Sequence, residues 1–107
     1  VICLSSVDDK TERKNLLKHF KEDGKKVIDI TEEQVNNFAG NMLQVRGKED
    51  ERFLIMSDAA LNSLTQSQKA QITNHCRIIS SSLETIEICG GGSARCMMAE
   101  VFLPKKI

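Results

Sequence analysis

Apolar positions along the chain fall into short clusters whose spacing alternates between strand-like runs and helical stripes. Val1 to Leu4 reads as a short buried strand, closed by Ser5-Ser6-Val7-Asp8-Asp9, in which Asp8 or Asp9 can cap a following helix. That helix starts near Thr11, carries its apolar stripe at Leu16, Leu17 and Phe20 over a sheet, and stops at Gly24. Val27, Ile28 and Ile30 make a second strand, parallel to the first across the helical crossover. Thr31 ahead of Glu32 and Glu33 starts a short capped helix reaching Phe38, followed by a loop at Ala39 and Gly40.

Asn41 to Arg46 and Arg52 to Met56 are strand-like stretches joined by a polar connection from Gly47 to Glu51, the pattern of an antiparallel hairpin. A short helical stretch spans Ala59 to Leu64, and Thr65 with Gln68 three residues later forms a capping box for another helix, whose inner face is Ala70, Ile72 and Cys76. Arg77 to Ser80 closes a strand, strand, helix, strand unit. The preceding section reads as the end of an earlier copy, and the tail from Glu84 to Leu103 as the start of another, with Met97, Met98, Val101 and Phe102 as strand core up to Pro104. Lys105 and Lys106 read as a solvated tail.

Composition adds bounds to this α/β pattern. The chain has 107 residues, with 40% hydrophobic and 28% charged, which suits one folded domain with a thin core. Basic and acidic residues balance at 15 each, so no overall field favours nucleic acid or an anionic membrane. No apolar run approaches the roughly 20 residues needed to span a bilayer, and no basic leader is visible. With four cysteines, two disulfides are conceivable, but the regular amphipathic pattern favours reduced thiols and a cytoplasmic setting. The start on an apolar stretch without an initiator methionine suggests a segment of something longer.

The chemistry is concentrated in Glu87-Ile88-Cys89-Gly90-Gly91-Gly92-Ser93-Ala94-Arg95-Cys96-Met97-Met98-Ala99-Glu100. Three glycines leave main-chain N–H groups uncovered and let the backbone approach a ligand, and such amides can stabilise a thiolate. Taken alone, a glycine run is more often a flexible turn, and a single cysteine more often core filler, as Cys3 and Cys76 read. A zinc site from Cys89, Cys96, Cys76 and His75 fails on spacing, so no metal is expected. A phosphate loop fails because the Gly-Lys-Ser/Thr ending is missing.

Gly90-Gly91-Gly92-Ser93-Ala94-Arg95-Cys96-Met97 resembles the signature that places the active cysteine near the C-terminus of arginine deiminases, dimethylarginine hydrolases and related amidinotransferases, the pentein superfamily. Within that group the tail Arg95 to Leu103 and the upstream Ala39-Gly40-Asn41-Met42-Leu43 are most similar to the bacterial amidinotransferase branch linked to citrulline formation. The resemblance covers Phe38 to Pro104; over the first 37 residues it rests on pattern. It implies the C-terminal part of a five-bladed α/β propeller of strand-strand-helix-strand repeats, with residues 1–37 ending one repeat, 38–83 forming a full one, and 84–107 beginning the closing one with the nucleophile loop.

The resemblance further implies attack by the Cys96 thiolate on a guanidinium carbon, giving a covalent thiouronium that water, or an amine in the transferases, resolves. Asn41 matches a family position near the substrate, and Arg95 is a candidate for binding a substrate carboxylate. The substrate is arginine or an arginine-like guanidine, hydrolysed to a citrulline-type product and ammonia, with no cofactor. Amidino transfer to an amine is the alternative. A second alternative is a non-catalytic ribosome anti-association protein of the same fold. The family's histidine and carboxylates are not identifiable: His19 lies on a surface helix and His75 near a helix end. The chain alone is therefore expected to be catalytically incomplete and marginally stable, with the rest of the enzyme as its partner and homo-oligomerisation left open.

Overall fold

The computed structural model describes residues 1–104 and 106. At the centre is a mixed three-stranded sheet in the order β1-β2-β3, from β1 (Leu43–Arg46), β2 (Arg52–Ser57) and β3 (Arg77–Ser81). β1 and β2 form the expected antiparallel hairpin, with Leu43 opposite Ile55 and Arg46 opposite Arg52. Its turn is closed by Gly47 N–H donating to Glu51 O at 2.7 Å. β3 lies parallel to β2, with Leu54 beside Ile78 and Met56 beside Ser80. The parallel pairing requires a crossover, supplied by two short helices, α3 (Asp58–Ser63) and α4 (Gln66–Thr73).

Each crossover helix is started by a side chain that accepts an otherwise orphaned N–H. Ser57 caps α3 through Ala60 N, and Thr65 with Gln68 forms the expected capping box on α4. The same device starts α2 (Glu32–Asn36), where Thr31 and Gln34 cap reciprocally. The two capping glutamines then pair with each other: Gln34 Nε2 donates to Gln68 Oε1 at 2.7 Å, and Gln68 Nε2 donates to Gln34 Oε1 at 3.0 Å. Their remaining N–H bonds reach Ser63 O and Asp29 O, both at 2.8 Å. A helix of five residues has little intrinsic stability, so this tertiary pairing is what holds α2 in place.

The core lies on one face of the sheet, where Met56 and Met42 meet Ala60, Leu64 and Ile72 from the crossover and Ile28, Ile30 and Ala39 from the preceding segment. Cys3, Leu54, Leu61, Cys76 and Ile78 pack half-buried against it, so Cys3 and Cys76 are core-edge residues rather than fully buried filler. Strand alternation puts Val45, Phe53, Ile55 and Ile79 on the opposite face, where Ile79 is 47% exposed.

Three expectations need correction. The strands at Val1 to Leu4 and Val27 to Ile30 reduce to one parallel bridge, Ile2 to Asp29. The carboxylate of Asp29 takes the N–H of Leu4 at 3.0 Å, and the chain turns into a single 3-10 turn at Leu4–Ser6 instead of extending the ladder. Helix α1 (Lys10–Glu22), capped by Asp9, consequently has only a rudiment of sheet beneath it: Leu16 and Phe20 are half-buried and Leu17 is exposed. The tail also differs. Residues 84–90 form α5 (Glu84–Gly90), residues 95–97 form a 3-10 turn, and no strand follows among the described residues. With no adjacent strand to pair with among the described residues, Val101, Phe102 and Leu103 stand exposed, and Met97 is largely exposed.

Lys106 is exposed as expected, whereas Lys105 lies outside the described residues. The radius of gyration, 15.3 Å, exceeds the roughly 13 Å of a compact domain of this length. No helix among the described residues is long and apolar enough to cross a membrane.

Candidate functional site

Two segments distant in sequence converge beside β1. The first enters through Phe38, a bulky residue held at a left-handed φ of 66°, after which Ala39 is fully buried and Asn41 N–H donates to Phe38 O at 2.9 Å. This turn presents Asn41 immediately ahead of the strand. The second segment is the glycine run. Helix α5 ends at Gly91, whose φ of 70° is a left-handed stop that glycine adopts without steric cost.

Gly92 has a different role, set by space. A Cβ built on it would lie 3.1 Å from both Cβ and Sγ of Cys96, so the cysteine folds back over bare backbone. Ser93 and Ala94 are buried beneath this arc, and a single 3-10 turn at Arg95–Met97 brings the thiol to the surface. Gly92→Ala is expected to lower the alkylation rate of Cys96 by about tenfold or more through displacement of the sulfur. Gly90→Ala, where a Cβ would meet nothing within 4 Å, should leave that rate unchanged.

Asn41 joins the two segments. Its Oδ1 accepts the main-chain N–H of Arg95 at 2.9 Å, which fixes the amide's orientation and leaves Nδ2 to donate to Cys96 Sγ at 3.0 Å. The Asn41 amide is the main cause of a Cys96 pKa held below the ordinary thiol value, followed by a main-chain N–H of Ser93. The positive charge of Arg95 and Cys96's own N–H act in the same direction, while partial desolvation opposes them. The sulfur is exposed, and an open cavity of about 510 Å³ adjoins the segment, lined by Asn41, Gly91, Phe38 and Gly40 among others.

Of the residues singled out from sequence, Cys96, Asn41 and Arg95 come together. Arg95 does so mainly through its backbone, since its guanidinium turns back to donate from Nη1 to Met42 O at 3.3 Å. The two histidines do not join them. His19 is exposed beside Asp23, and His75 lines a separate cleft with Lys25, Lys26 and Arg52.

Sequence reasoning missed one buried pair: Ser93 Oγ donates to Glu87 Oε2 at 2.9 Å, with Ser93 fully buried and Glu87 8% exposed. Hydropathy points the other way, because the flanking Ile86 and Ile88 are 39% and 74% exposed.

A family model described as N,N dimethylarginine dimethylhydrolase, eukaryotic, matches residues 1–103. It lends no support to the bacterial citrulline-forming branch that the tail resembles. No curated protein and no solved structure matches the chain significantly. With nearly its whole length matched, the chain belongs to the eukaryotic N,N-dimethylarginine dimethylhydrolase family, guanidine-modifying hydrolases of the pentein superfamily.

Proposed function

We propose that this chain supplies the nucleophile of a hydrolase that acts on the guanidinium group of a methylated arginine. The observation that carries the reading is the exposed Cys96 sulfur, backed by Gly92 and hydrogen-bonded at 3.0 Å by the Asn41 amide. A thiol is nucleophilic only as thiolate, and donors aimed at the sulfur favour that form without covering it.

In this reading the Cys96 thiolate attacks the central guanidinium carbon, forming a C–S bond. The C–N bond to the methylated nitrogen breaks as that nitrogen takes a proton and leaves as the amine. Water then adds to the resulting thiouronium carbon and loses its protons, and the C–S bond breaks to return the thiolate and release citrulline. Asn41 holds the sulfur in place throughout. Arg95, with its side chain on Met42 O, contributes charge near the sulfur and a backbone tie rather than a grip on the substrate carboxylate.

The proton-transferring histidine and the carboxylates that grip the guanidinium belong, in this proposal, to further segments of the enzyme. Together they would complete the five-bladed propeller expected of the superfamily. Citrulline and dimethylamine released in water, without added amine acceptor, would separate hydrolysis from amidino transfer.

The test is labelling of the full-length protein with 2-chloroacetamidine, read by peptide mass spectrometry. Cys96 is expected to be modified well ahead of the exposed Cys89, and dimethylarginine should protect it. A folded protein in which Cys96 reacts no faster than Cys89 would sink the reading and favour a non-catalytic binding role.

A further inference from the structure

The buried pair behind the cysteine loop has no part in the chemistry described above. Helix α5 turns its Glu87 carboxylate inward and leaves Ile86 and Ile88 outside, the reverse of what apolar burial alone would select. A buried carboxylate is costly unless hydrogen-bonded, and Glu87 has such a bond, from the Ser93 hydroxyl at 2.9 Å.

Ser93 sits between this anchor and the sulfur. Its side chain is tied to Glu87, and it directly follows Gly92, the bare backbone against which the Cys96 sulfur packs. The intervening Gly90-Gly91-Gly92 has wide backbone freedom, so the arc from Gly92 to Cys96 needs fixing at a residue with a side chain, and Ser93 is the first one. Asn41 fixes the far end of the arc through Arg95 N–H. Among the described residues, only the Glu87–Ser93 bond fixes the near end to the helix by a side chain.

We infer that Glu87 is a positioning residue for Cys96: its carboxylate, acting through the Ser93 hydroxyl, holds in place the Gly92–Ser93 backbone against which the sulfur packs. The inference rests on Cys96 being the nucleophile. It makes the reach of the site longer than the glycine signature, extending back one turn into α5.

The test compares alkylation rates of Cys96 and Cys89 by 2-chloroacetamidine across pH in the full-length protein, with melting temperature measured alongside. Glu87→Ala is expected to slow Cys96 by about tenfold and leave Cys89 unchanged, because the arc loses its near anchor. Glu87→Gln keeps an acceptor oxygen for Ser93 and should stay within about threefold of the parent. The double variant Glu87→Met with Ser93→Ala removes both polar groups together, which spares the fold the cost of an unpaired partner. It should melt near the parent and still show the loss at Cys96.

A folded double variant with parental Cys96 reactivity overturns the inference and leaves the nucleophile reading intact. Unfolding of the alanine and double variants alike would make the pair a structural element and overturn it too. Parental Cys96 reacting no faster than Cys89 would instead remove the nucleophile reading, and the role of Glu87 with it.

Discussion

Replacing Cys96 with serine in the full-length enzyme is expected to lower kcat/KM for dimethylarginine by on the order of 10⁴-fold or more, the scale of nucleophile removal in covalent enzymes. Serine keeps the size of the side chain but presents a hydroxyl that stays protonated, so the donors from Asn41 and Ser93 have no anion to favour. The exposed position means that the substitution removes no core packing. The melting temperature should therefore stay close to the parent's.

The pH dependence of the parent follows with a definite sign. Donors aimed at the sulfur stabilise the charged form, so its pKa falls and the thiolate survives to lower pH than in a free cysteine. Alkylation of Cys96 should rise with pH through a midpoint below that of free cysteine and then level off. Citrulline release assayed across pH, with chloroacetamidine labelling in parallel, measures both effects. A serine variant that retains more than about a hundredth of the activity would be incompatible with a covalent route through this residue.

The parts legible in the sequence were those specified locally. The β1–β2 hairpin follows from alternation around a polar turn, and the α4 capping box from Thr65 and Gln68 at the right spacing. The glycine run beside Cys96 is likewise a local signal: Gly91 uses its backbone freedom, and Gly92 its missing Cβ. What escaped was set by partners. The helix that Thr31 starts was legible, but the pairing of its Gln34 with Gln68, thirty-four residues away, was not.

Glu87 is the sharper example. Between two isoleucines it reads as the solvent-facing residue, and only the hydroxyl of Ser93 explains why it is inside. The tail errs in the opposite direction: Val101 and Phe102 have the composition of strand core, but hydropathy cannot supply a neighbouring strand, and both are exposed. The short buried strand expected at Val1 to Leu4 was lost to one carboxylate, because Asp29 claims the N–H that a longer ladder would have used.

Substitution of Asn41 should give the second largest loss, and its pattern separates a sulfur-directed role from a merely structural one. Asn41 makes two bonds in the site, accepting from Arg95 N–H and donating to Cys96 Sγ. Asn41→Asp keeps the acceptor for Arg95, so the two segments remain joined, but it replaces the donor with a negative oxygen facing the sulfur. Like charges at that range disfavour the thiolate, and the Cys96 pKa must rise. Asn41→Ala loses both bonds without adding charge. The midpoint of Cys96 alkylation should therefore climb in the order parent, alanine, aspartate, while the arginine-side tie is lost only in alanine. Turnover at neutral pH should fall by about a hundredfold in the aspartate variant, with part of that loss recovered as the pH is raised and more of the sulfur ionises. An aspartate variant with the parent's pH profile would mean that the Asn41 amide does not act on the sulfur, and the site's electrostatics would have to be assigned to the backbone donors and the Arg95 charge.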